Sequence, residues 1–448
     1  MRDSLLQLGT WVAENDIQGD GNYKVARELL LRQKPRLKQG VLQDFAHLSS
    51  LEAAKQISLL LDHTVLPIQG PPGSGKTYTG AHMIVELVKQ GKKVGVTAVS
   101  HKVVVNLLKA ICKAATQTHT DVKIIQKCER DERCEHERVK STDDNAVVVK
   151  ALTDGEASVA AGTVWLWSRT DMANSVDVLF VDEAGQMSLA NVLAASPAAK
   201  SIVLLGDPQQ LDQPQKGVHP EGAEASALSH LLHEKATIPP ELGLFLAESW
   251  RLHPDICAFT SDVFYESRLK SRPENSNQKL LVDGLLGGTG LRFIPVEHAG
   301  NQSESAEEVE EVARLIDLLL AEAHWTDKEG NTKKVTLEDI LVVAPYNAQV
   351  SLLLRRLSKG ARVGTVDKFQ GQEAPVVVYS MATSSPEDAP RGMEFLYSSN
   401  RLNVATSRAQ CVTVLVANPK LFDVQCKTRR QIELANAFCR YLEMASVI

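Results

Sequence analysis

From about residue 60 onward the chain repeats one pattern: a short unbroken apolar run, a polar or glycine-rich break, then apolar positions at helical spacing. In the first half the runs are TVLPIQG (64–70), KKVGVTAVS (92–100), SVDVLFVDEAG (175–185) and AKSIVLLGDPQQ (199–210). The second half restarts with LRFIPVEH (291–298), DILVVAPYN (339–347), APVVVYSMATS (374–384) and CVTVLVANP (411–419). Runs without polar alternation are what strands of a parallel sheet need when both faces are covered. TGAHMIVELVKQG (79–91) reads as a helix ended by Gly91. In AEEVEEVARLIDLLLAEAHW, Val309, Val312, Ala313, Ile316, Leu319 and Leu320 form one apolar stripe, with the acids expected on the opposite face. Pro239 and Pro240 in EKATIPPELG interrupt both periods. The expected organisation is therefore a partial helical extension over 1–49, an α/β domain over 50–238 and a second over 239–448, each with a parallel sheet.

Composition narrows the class only a little. With 44% hydrophobic and 23% charged residues, the chain has the profile of a soluble globular protein, and no apolar stretch approaches the ~18 residues of a membrane span. The first thirty residues lack the layout of a secretory leader. Seven scattered cysteines point away from a disulfide framework and toward a reducing cytoplasm. A net charge of −6 does not advertise nucleic-acid binding, although a local basic groove can sit on an acidic body.

The chemistry is announced by GPPGSGKT, Gly70 to Thr77, standing between a strand and a helix. Gly70, Gly73 and Gly75 let backbone N–H groups converge on phosphate oxygens, with Pro72, Ser74 and Tyr78 in the same loop and first turn. Lys76 should reach the β- and γ-phosphates of ATP, and Thr77 should bind Mg²⁺. In VLFVDEAGQ an apolar strand delivers Asp182 to its C-terminal end as the second Mg²⁺ residue, with Glu183 as acceptor of the attacking water's proton. Read as a Gly-rich turn and a solvated Asp-Glu pair, these segments would carry no chemistry, but their shared context favours an NTPase.

Further motifs specify the kind. VTAVSHKVVVNLL, VLFVDEAGQ, VLLGDPQQL, LAESWRLHPDI, VAPYNAQV, VGTVDKFQGQE and NRLNVATSRAQ follow GPPGSGKT in this order. Together they resemble the superfamily 1 helicases, in the group of the nonsense-mediated-decay helicase and the Okazaki-fragment nuclease-helicase, and especially a bacterial nuclease-helicase branch. The resemblance runs over roughly residues 50 to 425. It implies two tandem RecA-like P-loop domains that bind ATP·Mg²⁺ in their cleft and couple hydrolysis to domain closure. It also implies movement along single-stranded nucleic acid in the 5′→3′ direction, with DNA favoured over RNA. Carried over by position, Gln210 senses the γ-phosphate and the attacking water, Arg251 and Arg408 act as arginine fingers, and Glu373 binds nucleotide at the ribose. Ser100, His101, Tyr346, Asn347 and Thr365 fall at strand-contact positions. A monomer is expected, with an upstream nuclease domain or partner if the chain is part of something longer.

Departures from the family pattern bear on the details. Relatives place an adenine-reading glutamine upstream of the loop; here SSLEAAKQISLL puts Leu51 at that position and leaves Gln56 out of register. Trp250 stands where a tyrosine is usual before the finger arginine. There is little room for accessory β-barrel and helical insertions, ICKAATQTHTDVKIIQKCERDERCEHERVKSTDD being a modest one. That shortage motivates an alternative, an ATP-dependent nucleoprotein remodeller that does not unwind duplexes. A nucleotide-switched binder or small-molecule kinase would leave Arg251 and Arg408 without a role. Cys128, Cys134 and His136 in CERDERCEH lack the paired spacing of a zinc site, and a mixed-charge loop is the better reading. The cations of LRQKPRLKQG (Arg32, Lys34, Arg36, Lys38) read equally as phosphate contacts or solvated surface.

Overall fold

The computed structural model describes residues 1–211, 222, 224–233, 235–369 and 371–448. They form two compact units: Met1–Gly70 with Gly75–Pro208 and Asp212–Leu246, and Pro71–Ser74 with Gln209–Leu211 and Ala247–Ile448. The chain passes from one to the other at Leu246/Ala247, a few residues beyond the break read at Pro239 and Pro240. The reason is local: after the prolines the chain adds one last short strand, Leu244–Phe245, to the first sheet.

The first unit is built on eight strands: β1 (Val65–Gln69), β2 (Val94–Thr97), β3 (Ile124–Lys127), β4 (Val139–Thr142), β5 (Val159–Ala161), β6 (Val176–Val181), β7 (Ala199–Gly206) and β8 (Leu244–Phe245). They are all parallel, in the order β4-β3-β5-β2-β6-β7-β1-β8. The central strands β1, β2 and β6 carry the apolar runs of the sequence and are buried almost throughout. Helices on the two faces cover them. One layer gathers Ile84, Leu87, Val104, Leu107 and Ile111, and the other Trp167, Val192 and Ile202. The helices Arg2–Asn15 and Lys24–Leu30 join the second layer through Leu8, Val25, Ala26 and Leu29, so the N-terminal extension packs as part of this unit. The segment read as a modest insertion supplies β3 and β4, which widen the sheet on one side. Four residues each, with β4 only partly buried, they carry too little apolar sequence to announce themselves.

The second unit has two short parallel strands, β9 (Glu248–Ser249) and β10 (Lys270–Ser271). Its main sheet contains β12 (Gly290–Pro295), β15 (Ile340–Ala344), β16 (Arg362–Thr365), β17 (Ala374–Ser380), β18 (Ala409–Ala417) and β19 (Ser446–Val447). The order is β16-β15-β17-β18-β12-β19, again parallel throughout. A small antiparallel sheet of β11 (Lys279–Leu281), β13 (His324–Thr326) and β14 (Thr332–Lys334) lies beside it. The helix Ala306–Glu322 buries Val309, Val312, Ala313, Ile316 and Leu319 as its apolar stripe requires. One acid does not face away as expected: Glu308 is fully buried. It has a charge-satisfying environment, because His298 Nε2 (3.1 Å), Ser380 Oγ (2.6 Å) and the Ala382 N–H (2.9 Å) all converge on its carboxylate.

Candidate nucleotide site and strand-contact positions

The phosphate-loop sequence folds as its glycines demand. β1 ends at Gln69, and the Gly70 N–H is tied to the Gly206 carbonyl at 2.9 Å. Gly73 and Gly75 adopt φ of 72° and 81°, left-handed values that side chains rarely tolerate. Gly75 then caps the helix Lys76–Lys89, whose N-terminal N–H groups and dipole face the loop. Lys76 Nζ donates to the Gly70 carbonyl at 2.6 Å, folding the cation back over the loop. Ser74 is buried, and its hydroxyl has no partner among the described residues. Thr77 is half-buried in the first turn, while Tyr78 is exposed and stacks on His82 one turn later, centroids 4.0 Å apart.

Asp182 lies just beyond the C-terminal end of β6, buried, with its N–H bonded to the Thr97 carbonyl at 2.8 Å. Burial pushes its pKa up to about 7, and the neighbouring Glu183 charge pushes the same way; the Glu183 N–H and the Lys76 ammonium oppose them. A carboxylate held against its preference for water fits a cation beside it. The Thr77 hydroxyl, in the same unit, is likewise a hard oxygen donor of the kind Mg²⁺ takes. Glu183 takes a left-handed φ of 52°, a strained turn for a residue with a side chain. The turn is braced from behind. A Cβ on Gly185 would meet the Asp207 carbonyl oxygen at 2.6 Å, and one on Gly206 would meet the Gly185 nitrogen at 2.5 Å. Only glycines let the turns after β6 and β7 approach this closely.

In the second unit Arg251 follows β9 with a mostly buried side chain. Its Nε donates to Glu373 Oε2 and its Nη1 to the Ser407 carbonyl at 3.3 Å. Glu373 accepts also from Gln410 Nε2 at 3.0 Å, so in this structure the residue expected at the ribose engages Arg251, expected as a finger. Arg408 is buried, with its carbonyl taking the Ala374 N–H at 3.1 Å. Within the same unit, the Gly73 carbonyl accepts from the Trp250 N–H at 2.9 Å, and a Cβ on Gly73 would collide with Arg251 Cβ at 2.6 Å. The Trp250 ring is half exposed, with the Arg272 guanidinium 3.9 Å from its centroid. Gln210, beyond β7, is buried.

Two family models, each described as an AAA domain, match residues 52–234 and 223–420. The DNA replication ATP-dependent helicase/nuclease DNA2 of Gallus gallus is 26% identical, over 86% of this chain and 38% of its own length. The Regulator of nonsense transcripts 1 homolog of Drosophila melanogaster is 24% identical, over 80% of this chain and 33% of its own. The DNA-binding protein SMUBP-2 of Rattus norvegicus is 28% identical, over 78% and 41%. Together the two models and these relatives make the chain similar, over most of its length, to the superfamily 1 helicases, a family of ATP-hydrolysing enzymes. The chain spans between a third and about two-fifths of the length of these relatives. Among solved structures, an arterivirus nonstructural protein 10 helicase with DNA aligns at a TM-score of 0.45 and 14% identity, over 86% of this chain and 64% of that one.

The positions expected to contact a strand lie near C-terminal strand ends of each unit. Ser100 caps the helix His101–Gln117 through the Val103 N–H (3.4 Å), and His101 turns toward Glu132 at 3.5 Å. Thr365 ends β16; Tyr346 and Asn347 follow β15, the tyrosine buried and the asparagine exposed. The sequence reading missed Phe395, whose ring lies 5.4 Å from Tyr346, with the guanidinium groups of Arg391 and Arg401 3.8 Å and 4.4 Å from its centroid. The i, i+4 spacing of Arg391 and Phe395 on a short helix was the available signal. At the adenine-reading position the helix Ser50–Leu60 leaves Leu51 half-buried and Gln56 exposed. Cys128 and Cys134 are buried thiols, and no group of three or more ligand-type side chains suited to a metal occurs among the described residues.

Proposed function

We propose that this chain hydrolyses ATP with Mg²⁺ and uses the cycle to translocate 5′→3′ along single-stranded nucleic acid, DNA in preference to RNA. The observation that carries the reading is the phosphate loop with Lys76 at a helix N-terminus, set in the same unit as a buried carboxylate, Asp182, whose charge calls for a cation. In this mechanism the loop N–H groups hold the phosphates and Lys76 leaves the Gly70 carbonyl for the β- and γ-oxygens. Thr77 and Asp182 hold Mg²⁺, which when bound neutralises charge on the transferred phosphoryl group. Glu183 accepts the proton of the water that Gln210 orients. Arg251 and Arg408 supply positive charge to the transition state, an effect worth about 10³–10⁵ in rate for arginine fingers. The likeness to superfamily 1 helicases implies that each cycle of hydrolysis advances the strand by a step.

The DNA preference is supported by likeness to the helicase/nuclease and the DNA-binding relative; the nonsense-transcript regulator keeps RNA in the test. All seven cysteines are free thiols, which supports a cytoplasmic setting. The deciding experiment is ATP hydrolysis measured alone, with single-stranded DNA and with single-stranded RNA. Stimulation by DNA above RNA is expected, and turnover indifferent to both strands would refute the translocase. A tailed-duplex displacement assay then separates unwinding from remodelling without unwinding.

A further inference from the structure

Two tryptophans stand two residues apart in GTVWLWS (162–168), on the turn that follows β5. Trp167 is fully buried, donates Nε1–H to the Val96 carbonyl at 3.1 Å, and fills the space over Gly95, where a Cβ would meet its ring at 2.7 Å. Trp165 is 65% exposed. The first ring is therefore an anchor on β2, and the second is displayed on a short helix that the anchor holds still.

A single exposed aromatic residue is ordinary on a protein surface. Trp165, however, lines a cavity of about 510 Å³ together with Asp3, Lys127, Asn145, Thr163 and Arg169. Register places this cavity at the C-terminal edge of the first sheet. Ala161 pairs with Val96 of β2 and with Gln126 of β3, so Gly162, Thr97 and Lys127 are level with one another. Lys127 abuts Gly162, whose added Cβ would lie 3.5 Å from the Lys127 Cβ. Arg169 is neutralised by a two-pronged bond to Asp171 at 2.9 Å and 2.7 Å, whereas no carboxylate is paired with Lys127 among the described residues. Ligands of open parallel sheets bind at this edge. A flat ring bordered by hydroxyl and amide groups, with Lys127 paired to no carboxylate and Asp3 the one acid in the lining among the described residues, matches a nucleobase with its phosphate, and matches an apolar peptide face poorly.

We propose that Trp165 is a base-stacking platform for single-stranded nucleic acid on the first unit, with Lys127 meeting the adjoining phosphate; the inference rests on the strand-binding reading above. Stacking is sequence-tolerant because every base has a π-face, which suits a translocase. The path joins the turn after β2, where Ser100 and His101 stand, to the turn after β5.

The test is fluorescence anisotropy of labelled oligo-dT and oligo-U with the wild type, Trp165→Ala, Trp165→Phe and Lys127→Gln, each over a salt series. Loss of stacking predicts about 5- to 150-fold weaker binding for Trp165→Ala with an unchanged salt slope, and retention of most affinity by Trp165→Phe. Lys127→Gln should lower the slope by about 0.7. Strand-independent ATP turnover should match wild type in all three variants, which shows that the fold and the phosphate site survive. Wild-type strand affinity in Trp165→Ala overturns the platform and leaves the helicase reading standing. A wild type that turns over ATP yet binds neither oligonucleotide removes both.

Discussion

Glu308 tests how the second unit is held together. Its carboxylate lies beneath the chain leaving β17, and neither it nor the His298 ring has any exposed side-chain surface. His298 continues the network through Nδ1 to Ser384 Oγ at 2.7 Å, and Ser384 Oγ takes the Asn301 N–H at 2.9 Å. Gln349 Nε2 donates to Ser380 Oγ at 2.8 Å, tying the next helix to the same group. Ala382, between these residues, holds a left-handed φ of 68°, a conformation that costs a non-glycine residue about 1 kcal/mol or more unless surrounding bonds fix it. Glu308→Ala removes the acceptor of the His298, Ser380 and Ala382 groups together. Each buried donor left unpaired costs about 1–3 kcal/mol, so three together cost about 3 kcal/mol or more. Ser380 and His298 can turn to other partners, so the lower end, about 3 kcal/mol, is expected. Hydrogen exchange of β17 amides reads this directly, because global denaturation of a two-unit chain is not one transition. Protection across Val376–Ser380 should fall by about two orders of magnitude, with the first unit's β1 and β6 unaffected. A change below tenfold would refute the claim that this carboxylate organises the loop after β17.

The remaining expectations concern the proposed site and the pH dependence of the first unit. Lys76→Ala should abolish ATP turnover while leaving strand binding intact; normal turnover would exclude the phosphate assignment. Arg251→Lys cannot reproduce a guanidinium that reaches both Glu373 and Ser407, so kcat should drop at least a hundredfold with little change in nucleotide affinity, and an effect on affinity alone would contradict the finger role. Asp177 is held below the usual carboxylate range: burial raises its pKa, but the Lys200 ammonium and the Lys93 N–H, both at 2.9 Å, outweigh it. A depressed carboxyl pKa contributes stability above the unfolded value of about 3.9, and that contribution is lost as pH falls through the folded value. Asp177→Asn should therefore destabilise the first unit at neutral pH, and the gap from wild type should close below about pH 4; a gap that persists in acid would assign the effect to packing.

The parts of the fold legible in the sequence are those where one physical demand dominates. The strands β1, β2, β6, β7, β15 and β17 fall inside the apolar runs, and β12 and β18 start one and two residues before theirs, because buried parallel strands have no polar face to disguise them. The strands β3, β4, β5 and β16 did not stand out: each has three or four residues, and only sheet pairing stabilises so short a segment. The phosphate loop was legible for a different reason, since left-handed turns and backbone approach at Gly73 and Gly75 admit almost no other residue. Glu308 was not, because helical periodicity gives the face of a residue and not what lies over it. Nor could spacing decide between Trp165 and Trp167. Both lie on one short turn, and only the groove left by Gly95 determines which ring enters the core.

The same contrast accounts for where the candidate positions lie. In a parallel sheet every strand ends on the same edge, so the turns after successive strands become neighbours although they are far apart in sequence. In the first unit this gathers Gly70 after β1, Ser100 after β2, Trp165 after β5 and Asp182 after β6. In the second it gathers Tyr346 after β15, Thr365 at the end of β16 and the Glu308-braced turn after β17. Strand interiors answer to packing and read as nearly uniform Val, Ile and Leu, while the residue just past each strand answers to chemistry. A polar, aromatic or strained residue directly after a buried apolar run is therefore the most informative signal in this sequence, and Trp165 passed unnoticed because β5 was too short to mark where the run ended.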